Sequence, residues 1–71
     1  MIEQKIFSLA EMPMYQAVVS VTEDGKVWVK YYHNNHEVMD GMDNEDYLFA
    51  KSVLPKFEKW VSDNKYTLWS Y

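Results

Sequence analysis

Two segments of alternating apolar and polar residues flank an Asp-Gly pair, and they give the strongest structural signal in the chain. They cover residues 15–22 and 26–32 and are rich in β-branched and aromatic residues, which favour strands. An Asp-Gly pair between two such segments is a strong short-range indication of a β-hairpin. The pattern therefore predicts two antiparallel strands joined by a tight loop at Asp24 and Gly25.

The register of this hairpin follows from the residues that must share a face. A two-residue turn would pair Val19 with Lys30 and place a lysine among valines. A three-residue loop with Gly25 in the left-handed conformation pairs Val19 with Val29 and leaves one face uniformly apolar. We therefore predict the second register. The predicted apolar face consists of Ala17, Val19, Val21, Val27, Val29 and Tyr31.

The opposite face of the hairpin is polar but carries a tryptophan and a tyrosine. One explanation is cross-strand packing beneath lysine stems or beneath another segment of the chain. The other is a contact surface for a second subunit or a ligand, for which Trp28, Lys30 and Tyr32 are the candidate residues. The whole face is predicted to contain Gln16, Val18, Ser20, Thr22, Lys26, Trp28, Lys30 and Tyr32.

Apolar residues recur at spacings of three and four between about Glu45 and Asp63, and this periodicity predicts an amphipathic helix. Asp43 or Asn44 is suited to cap its first turn. Glu45 and Asp46 follow where the positive end of the helix dipole favours acidic side chains. The predicted apolar stripe consists of Tyr47, Ala50, Val53, Leu54, Phe57, Trp60 and Val61.

Pro55 lies inside the predicted helix and removes one backbone donor, so we expect a kink there. The apolar stripe keeps its phase across the proline, which favours one bent helix over two separate ones. Residues 2–9 and 66–71 are rich in β-branched or aromatic residues and predict a first and a last strand. The sequence thus predicts one α+β domain over residues 1–71, with a kinked amphipathic helix packed on an antiparallel sheet of three to four strands in the order β-β-β-α-β.

The composition limits the size and the environment of the protein. Its 71 residues are 48% hydrophobic and 17% aromatic, as expected for one small globular domain with a core. The absence of cysteine excludes disulfides and favours a reducing compartment, so we expect a cytoplasmic protein. No stretch approaches the roughly 18 consecutive apolar residues of a membrane span, and we expect neither export nor membrane insertion.

The net charge of −4 is concentrated in one part of the chain. Five of the eleven acidic residues lie between His33 and Asp46 with no lysine among them. The rest of the chain contains seven lysines and six acidic residues, and arginine is absent from the whole sequence. Because the chain lacks the guanidinium fork and is negative overall, direct binding to nucleic acid is disfavoured.

Candidate catalytic and metal-binding groups are few. His33, His36 and Glu37 offer ligands for a divalent cation, but the histidines precede the acid instead of forming the H-E-x-x-H motif of a zinc helix. The acidic run from Asp40 to Asp46 lacks the spacing of a calcium loop. The sequence contains no glycine-rich phosphate loop and no nucleophile elbow. We expect a non-enzymatic protein without metal or cofactor.

The acidic segment has two explanations. It is either a solvated loop that keeps the domain soluble and caps the helix, or a negative surface that occupies a basic groove on another protein. Methionine and tyrosine beside the acids would supply apolar anchors for the second role. Some small acidic inhibitors encoded by bacteriophages act in this way on nucleic-acid enzymes, and the similarity rests on size and charge alone. The candidate contact residues are Glu37, Asp40, Met42, Asp43, Glu45, Asp46 and Tyr47.

The sequence thus predicts a small protein-interaction module of phage or microbial accessory type. In the first hypothesis it inhibits a nucleic-acid-handling protein by occluding the basic surface of that partner. In the alternative, the protein is a homo-oligomer that binds a nucleotide, a nucleic acid or a small ligand through the aromatic face of its sheet. Trp69 or Tyr71 would add to that face if the last strand lies beside the hairpin. A homodimer through that face would also compensate for the small core of so short a chain.

Overall fold

The computed structural model describes residues 3–38 and 42–70 of the chain. These residues form a five-stranded sheet with a helix packed on one side of it. This arrangement confirms the predicted α+β class. In chain order the elements are β1 (Glu3–Leu9), β2 (Met12–Val21), β3 (Lys26–His33), β4 (His36–Glu37), α1 (Asn44–Asp63) and β5 (Thr67–Ser70).

The sheet is an antiparallel meander of β1, β2 and β3 that is extended at the far edge of β3 by two short strands. β4 pairs antiparallel with the C-terminal end of β3, and β5 pairs parallel with its N-terminal end. The last strand was predicted as a member of an antiparallel sheet, but its pairing with β3 is parallel. The helix is the crossover that parallel pairing requires, because it returns the chain to the end of the sheet where β3 begins.

The predicted hairpin register is confirmed. Val19 pairs with Val29, and Thr22 and Lys26 close the loop through a hydrogen bond of 2.9 Å from the Thr22 N–H to the Lys26 carbonyl. Gly25 has a φ of 81°, the left-handed conformation that the three-residue loop requires. Grouping the apolar residues on one face was therefore sufficient to predict how β2 pairs with β3.

The helix begins with a reciprocal cap between two acidic residues. The Asp43 side chain accepts a hydrogen bond of 2.8 Å from the Asp46 N–H, and the Asp46 side chain accepts one of 3.2 Å from the Asp43 N–H. Such a capping box satisfies backbone donors that have no partner within the helix. The chain then stays helical through Pro55 to Asp63, as one helix and not two.

The predicted apolar stripe of α1 is correct from Val53 onward but wrong at its start. Tyr47 is exposed, and Phe49 takes its place in the core. Two residues correspond to about 200° around a helix, so these side chains cannot share a face. Phe49 is selected because its ring stacks at 5.1 Å on Tyr15 of β2. The residues of α1 that are buried are Asp46, Phe49, Val53, Phe57 and Val61.

The helix covers one face of the sheet only. Ala17, Val19, Val21 and Val27 are fully buried beneath it. The opposite face, which we call the outer face, carries no second layer within residues 3–38 and 42–70. Pairing and strand alternation place these side chains on the outer face: Gln4, Ile6, Met14, Gln16, Val18, Ser20, Thr22, Lys26, Trp28, Lys30, Tyr32, Glu37 and Trp69.

The helix has no membrane-spanning character. Within the described part of the chain, α1 lacks the continuous apolar length that a bilayer crossing requires. Its exposed positions are polar or charged along most of its length, for example Lys56, Glu58 and Lys59. The apolar side chains of the helix are thus used mainly to pack on the sheet.

Candidate binding surfaces

Asp46, one of the predicted contact residues, is buried with only 9% of its surface exposed. Its Oδ1 accepts a hydrogen bond of 2.7 Å from the hydroxyl of Tyr15. This bond lowers the pKa of the Asp46 carboxyl, and the carboxylate in turn raises the pKa of the Tyr15 phenol. The expectation that Asp46 belongs to an acidic surface is therefore wrong. An acid near a helix start gives no sign in the sequence of a phenol packed above it.

The ring of Tyr15 stacks with two other flat rings. The imidazole of His33 lies at 4.3 Å with an interplanar angle of 6°, and the ring of Phe49 lies at 5.1 Å and 20°. Tyr31 meets Phe49 edge-on at 6.3 Å. This aromatic stack was not predicted as a unit, although the position of Tyr15 in the apolar alternation of β2 was a usable signal. The stack fixes the first turns of α1 against the sheet.

The two histidines considered as cation ligands have other surroundings. His33 and His36 are paired across β3 and β4, with the His33 ring on Tyr15 and His36 exposed. Among the side chains that the structure describes, no three histidine, aspartate or glutamate residues come together as a metal site. The geometry therefore gives no support to a cation role for these histidines.

The first turns of α1 expose two large apolar side chains next to carboxylates. Tyr47 is 63% exposed and Leu48 is 57% exposed. Glu45 is exposed at the same end of the helix, and so is the capping residue Asp43. We call this region, which also includes Met42, the helix-start surface. Its members are Met42, Asp43, Glu45, Tyr47 and Leu48.

Concave surfaces flank the helix-start surface on both sides. Met42 and Tyr47, both predicted as apolar anchors, line one groove of about 340 Å³ between α1 and β3. Glu45 and Leu48 line another of about 570 Å³ between α1 and the turn that joins β1 to β2. The first groove is completed by Tyr31, Ala50, Lys51 and Leu54, and the second by Leu9, Glu11, Met12 and Ser52.

Among the acidic residues that the structure describes, the predicted contact residue Glu37 does not join this surface. Glu37 pairs directly with Tyr32 across β4 and β3, which places it on the outer face of the sheet. Asp40 lies outside the described residues. The acidic segment is thus divided between a helix cap, a buried hydrogen bond and two separate surfaces.

The outer face brings Trp28, Lys30 and Tyr32 together on β3, the residues considered for self-association or ligand binding. Trp28 is 43% exposed and Trp69 of β5 is 55% exposed, with their ring centroids 6.5 Å apart. The ammonium group of Lys26 lies 4.2 Å from the centre of the Trp69 ring. Trp69 was considered for this face only as an alternative to Tyr71, because the sequence does not show which strand β5 joins.

Aliphatic side chains continue the outer face away from the tryptophans. Ile6 of β1 is 57% exposed and lies directly opposite Val18 of β2. Met14 lies on the same face and is also exposed. Exposed apolar patches that extend over several strands are typical of interaction sites in small soluble domains.

In comparisons with family models, with curated proteins and with solved structures, no match to this chain was found.

Proposed function

We propose that this protein is a non-enzymatic interaction module of a reducing, cytoplasmic compartment that binds a basic partner protein through the helix-start surface. In doing so it blocks the access of nucleic acid to that partner. The observation that carries the proposal is the exposure of Tyr47 and Leu48 directly beside the carboxylates of Asp43 and Glu45. Aromatic and aliphatic anchors bordered by charge of one sign are characteristic of steered protein interfaces.

The charges around the helix-start surface favour a basic partner. Asp43 and Glu45 belong to the surface itself, and Glu11 lines the adjoining groove with Glu45. Among the residues that line the two grooves, Lys51 is the single lysine, and it lines the groove beside Tyr47. Three carboxylates against one ammonium group give a locally negative potential, which accelerates association with a positive surface and weakens as salt is added.

The apolar side chains would supply the affinity that exposed charges alone do not. Exposed ion pairs contribute little to binding because water and salt screen them. Tyr47 projects beside a groove that Met42 also lines, so a partner side chain can enter the groove while its surface covers the tyrosine ring. Desolvated aromatic anchors of this kind dominate the energy of many interfaces.

The experiment that tests the proposal uses charge reversal at an exposed position that takes no part in the hydrogen bonds of the helix cap. Asp43 and Asp46 are unsuitable, because both form the helix cap. Glu45→Lys is suitable, since Glu45 is exposed. Glu58→Lys is the matched control, because it is an exposed glutamate of the same helix about 20 Å farther along the axis.

Each tagged protein is used to capture partners from a microbial lysate at low and high salt, with nuclease, followed by mass spectrometry. We expect the wild type and Glu58→Lys to retain the same basic, nucleic-acid-handling protein at low salt, and Glu45→Lys to lose it. The purified pair should then compete with an oligonucleotide for the partner. Equal retention by Glu45→Lys, or retention that nuclease abolishes, would overturn the proposal.

A further inference from the structure

We infer that the outer face binds a second copy of this chain, giving a face-to-face dimer in which two sheets pack between two helices. The outer face lies on the opposite side of the sheet from α1, so it is separate from the helix-start surface. Three properties of the outer face support this dimer: an apolar band with members on four strands, a near balance of charge, and its area.

The apolar band crosses the whole sheet. Ile6 lies opposite Val18, and Val18 is diagonal to Trp28, which lies opposite Ser20. The Trp28 ring then meets Trp69 at 6.5 Å. Diagonal neighbours on adjacent strands are within reach of an aromatic side chain. The band thus has members on β1, β2, β3 and β5.

The outer face carries almost no net charge, although the chain is acidic. Lys26 and Lys30 are matched by Glu37 and by Asp24 at the hairpin end, which lies 3.5 Å from the Lys26 ammonium. The net charge of −4 therefore resides on the rest of the chain, which holds five lysines and nine acidic residues. Two outer faces can meet without the like-charge repulsion that other pairings of this acidic protein would incur.

The area of the outer face fits a dimer of two small chains. Strands of about eight residues and four strand positions give a face of roughly 26 Å by 19 Å, or about 500 Å² before side-chain relief is counted. The two larger principal extents of the fold are 32 Å and 21 Å, so the face occupies most of one side. Specific interfaces at the lower end of the usual range bury about 600 Å² from each partner.

The geometry favours a protein copy over a single-stranded nucleic acid. The Trp28 and Trp69 rings are inclined at 56° to each other and so do not present parallel planes to successive bases. The Lys26 ammonium is already held between Trp69 and Asp24. The aliphatic half of the band offers bases no aromatic surface for stacking, whereas valine and isoleucine pack well between two sheets.

Dimerisation would also bury the second face of the sheet. A chain of this length has one small core, and a second subunit is a common means of stabilising such domains. In the isolated chain the tryptophan pair and Ile6 remain in contact with water. In a two-fold dimer both copies contribute the same surface patch to the interface. Each copy therefore covers these side chains of the other.

Sedimentation equilibrium over a hundredfold range of concentration tests the inference with the full chain. The variants are Ile6→Lys on the outer face and Leu48→Lys on the helix, two positions that are equally exposed at 57%. We expect the wild type and Leu48→Lys to dimerise alike, and Ile6→Lys to raise the dimer dissociation constant at least about 30-fold. Trp69→Ala provides a second outer-face variant, and circular dichroism verifies that every variant is folded.

Two results would overturn the second-copy inference. One is a wild type that stays monomeric at the highest concentration, and the other is a folded Ile6→Lys variant that dimerises as tightly as Leu48→Lys. A monomer whose tryptophan fluorescence is quenched by oligothymidylate would assign the face to nucleic acid instead. None of these results bears on Glu45, so the proposed function would stand or fall by its own experiment.

Discussion

The hydroxyl of Tyr15 donates a hydrogen bond of 2.7 Å to the carboxylate of Asp46, a residue 31 positions later in the chain. This bond joins β2 to the first turn of α1 inside the domain. Because Asp46 also completes the helix cap, a single carboxylate fixes where the helix starts and where it lies on the sheet. The exposed side chains of the helix-start surface depend on this buried anchor for their position.

Tyr15→Phe should lower the thermal midpoint of unfolding, because it leaves the buried Oδ1 of Asp46 without its donor. Tyr66→Phe is the matched control. It also removes a phenol–carboxylate hydrogen bond, the one of 3.0 Å to Glu3, but that bond is exposed to water. Differential scanning calorimetry should show a clearly larger decrease for Tyr15→Phe. Equal decreases would mean that the anchor has no special weight.

The acid side of the stability profile should depend on Asp46. Its pKa is lowered in the folded state, chiefly by the Tyr15 hydroxyl, so the bond contributes stability above the unfolded value of about 4. That contribution is lost as the pH falls through the folded pKa. Urea titrations at successive pH values should give a steeper loss below about pH 4 for the wild type than for Asp46→Asn. Parallel profiles would contradict this account.

The alkaline side should depend on Tyr15. The Asp46 carboxylate raises the pKa of this phenol, so the folded state holds the proton more tightly than the unfolded state. The resulting stability is present below about pH 10 and is lost as the pH rises through the folded pKa. Tyr15→Phe should flatten this decline in the free energy of unfolding. A wild-type profile that is already flat above pH 10 would rule out the effect.

The orientation of α1 is testable with two neighbouring aromatic residues. Phe49 is fully buried, so Phe49→Ala should cost about 3–5 kcal/mol of unfolding free energy, which approaches the whole stability of a domain this small. Tyr47→Ala should change it by no more than about 0.5 kcal/mol, because Tyr47 is exposed. Urea denaturation measures both. A larger loss of stability for Tyr47→Ala than for Phe49→Ala would instead support the apolar stripe that periodicity alone predicts, with Tyr47 in the core.

The hairpin loop should tolerate few residues at Gly25. With a φ of 81°, alanine there is strained and should cost about 1 kcal/mol, although nothing in the structure obstructs its Cβ. Gly25→Asn should cost less, since asparagine adopts the left-handed conformation more readily. Chemical denaturation of both variants separates backbone strain from side-chain crowding. Equal stability of Gly25→Ala and the wild type would contradict the loop geometry.

Local patterns predicted the hairpin and its register because each position had one consistent role. Val19 and Val29 are apolar, lie opposite each other and face the core, and Gly25 marks the loop between their strands. The start of α1 was harder because its residues have two plausible roles. Tyr47 and Phe49 both suit an apolar stripe, and the stacked ring of Tyr15 from a distant strand decides between them.

The candidate surfaces were likewise predicted correctly only where the local sequence determines them. Trp28, Lys30 and Tyr32 were grouped correctly because strand alternation alone puts them on one face. Trp69 could be considered for this face but not placed on it, because its position depends on the parallel pairing of β5 with β3, which a helical crossover creates. Asp46 was misplaced because burial of an acid depends on a partner that local sequence does not reveal. Long-range pairing is what the chain pattern leaves undetermined.

The most direct test of the central claim maps where the captured partner touches this protein. Heteronuclear NMR of the labelled protein with the partner provides separate reporters: the amides of Glu45, Tyr47 and Leu48 for the helix-start surface, and the indole signals of Trp28 and Trp69 for the outer face. We expect the partner to shift or broaden the first set and to leave the indole signals unchanged. Perturbation of the indoles with the helix-start amides unaffected would contradict it.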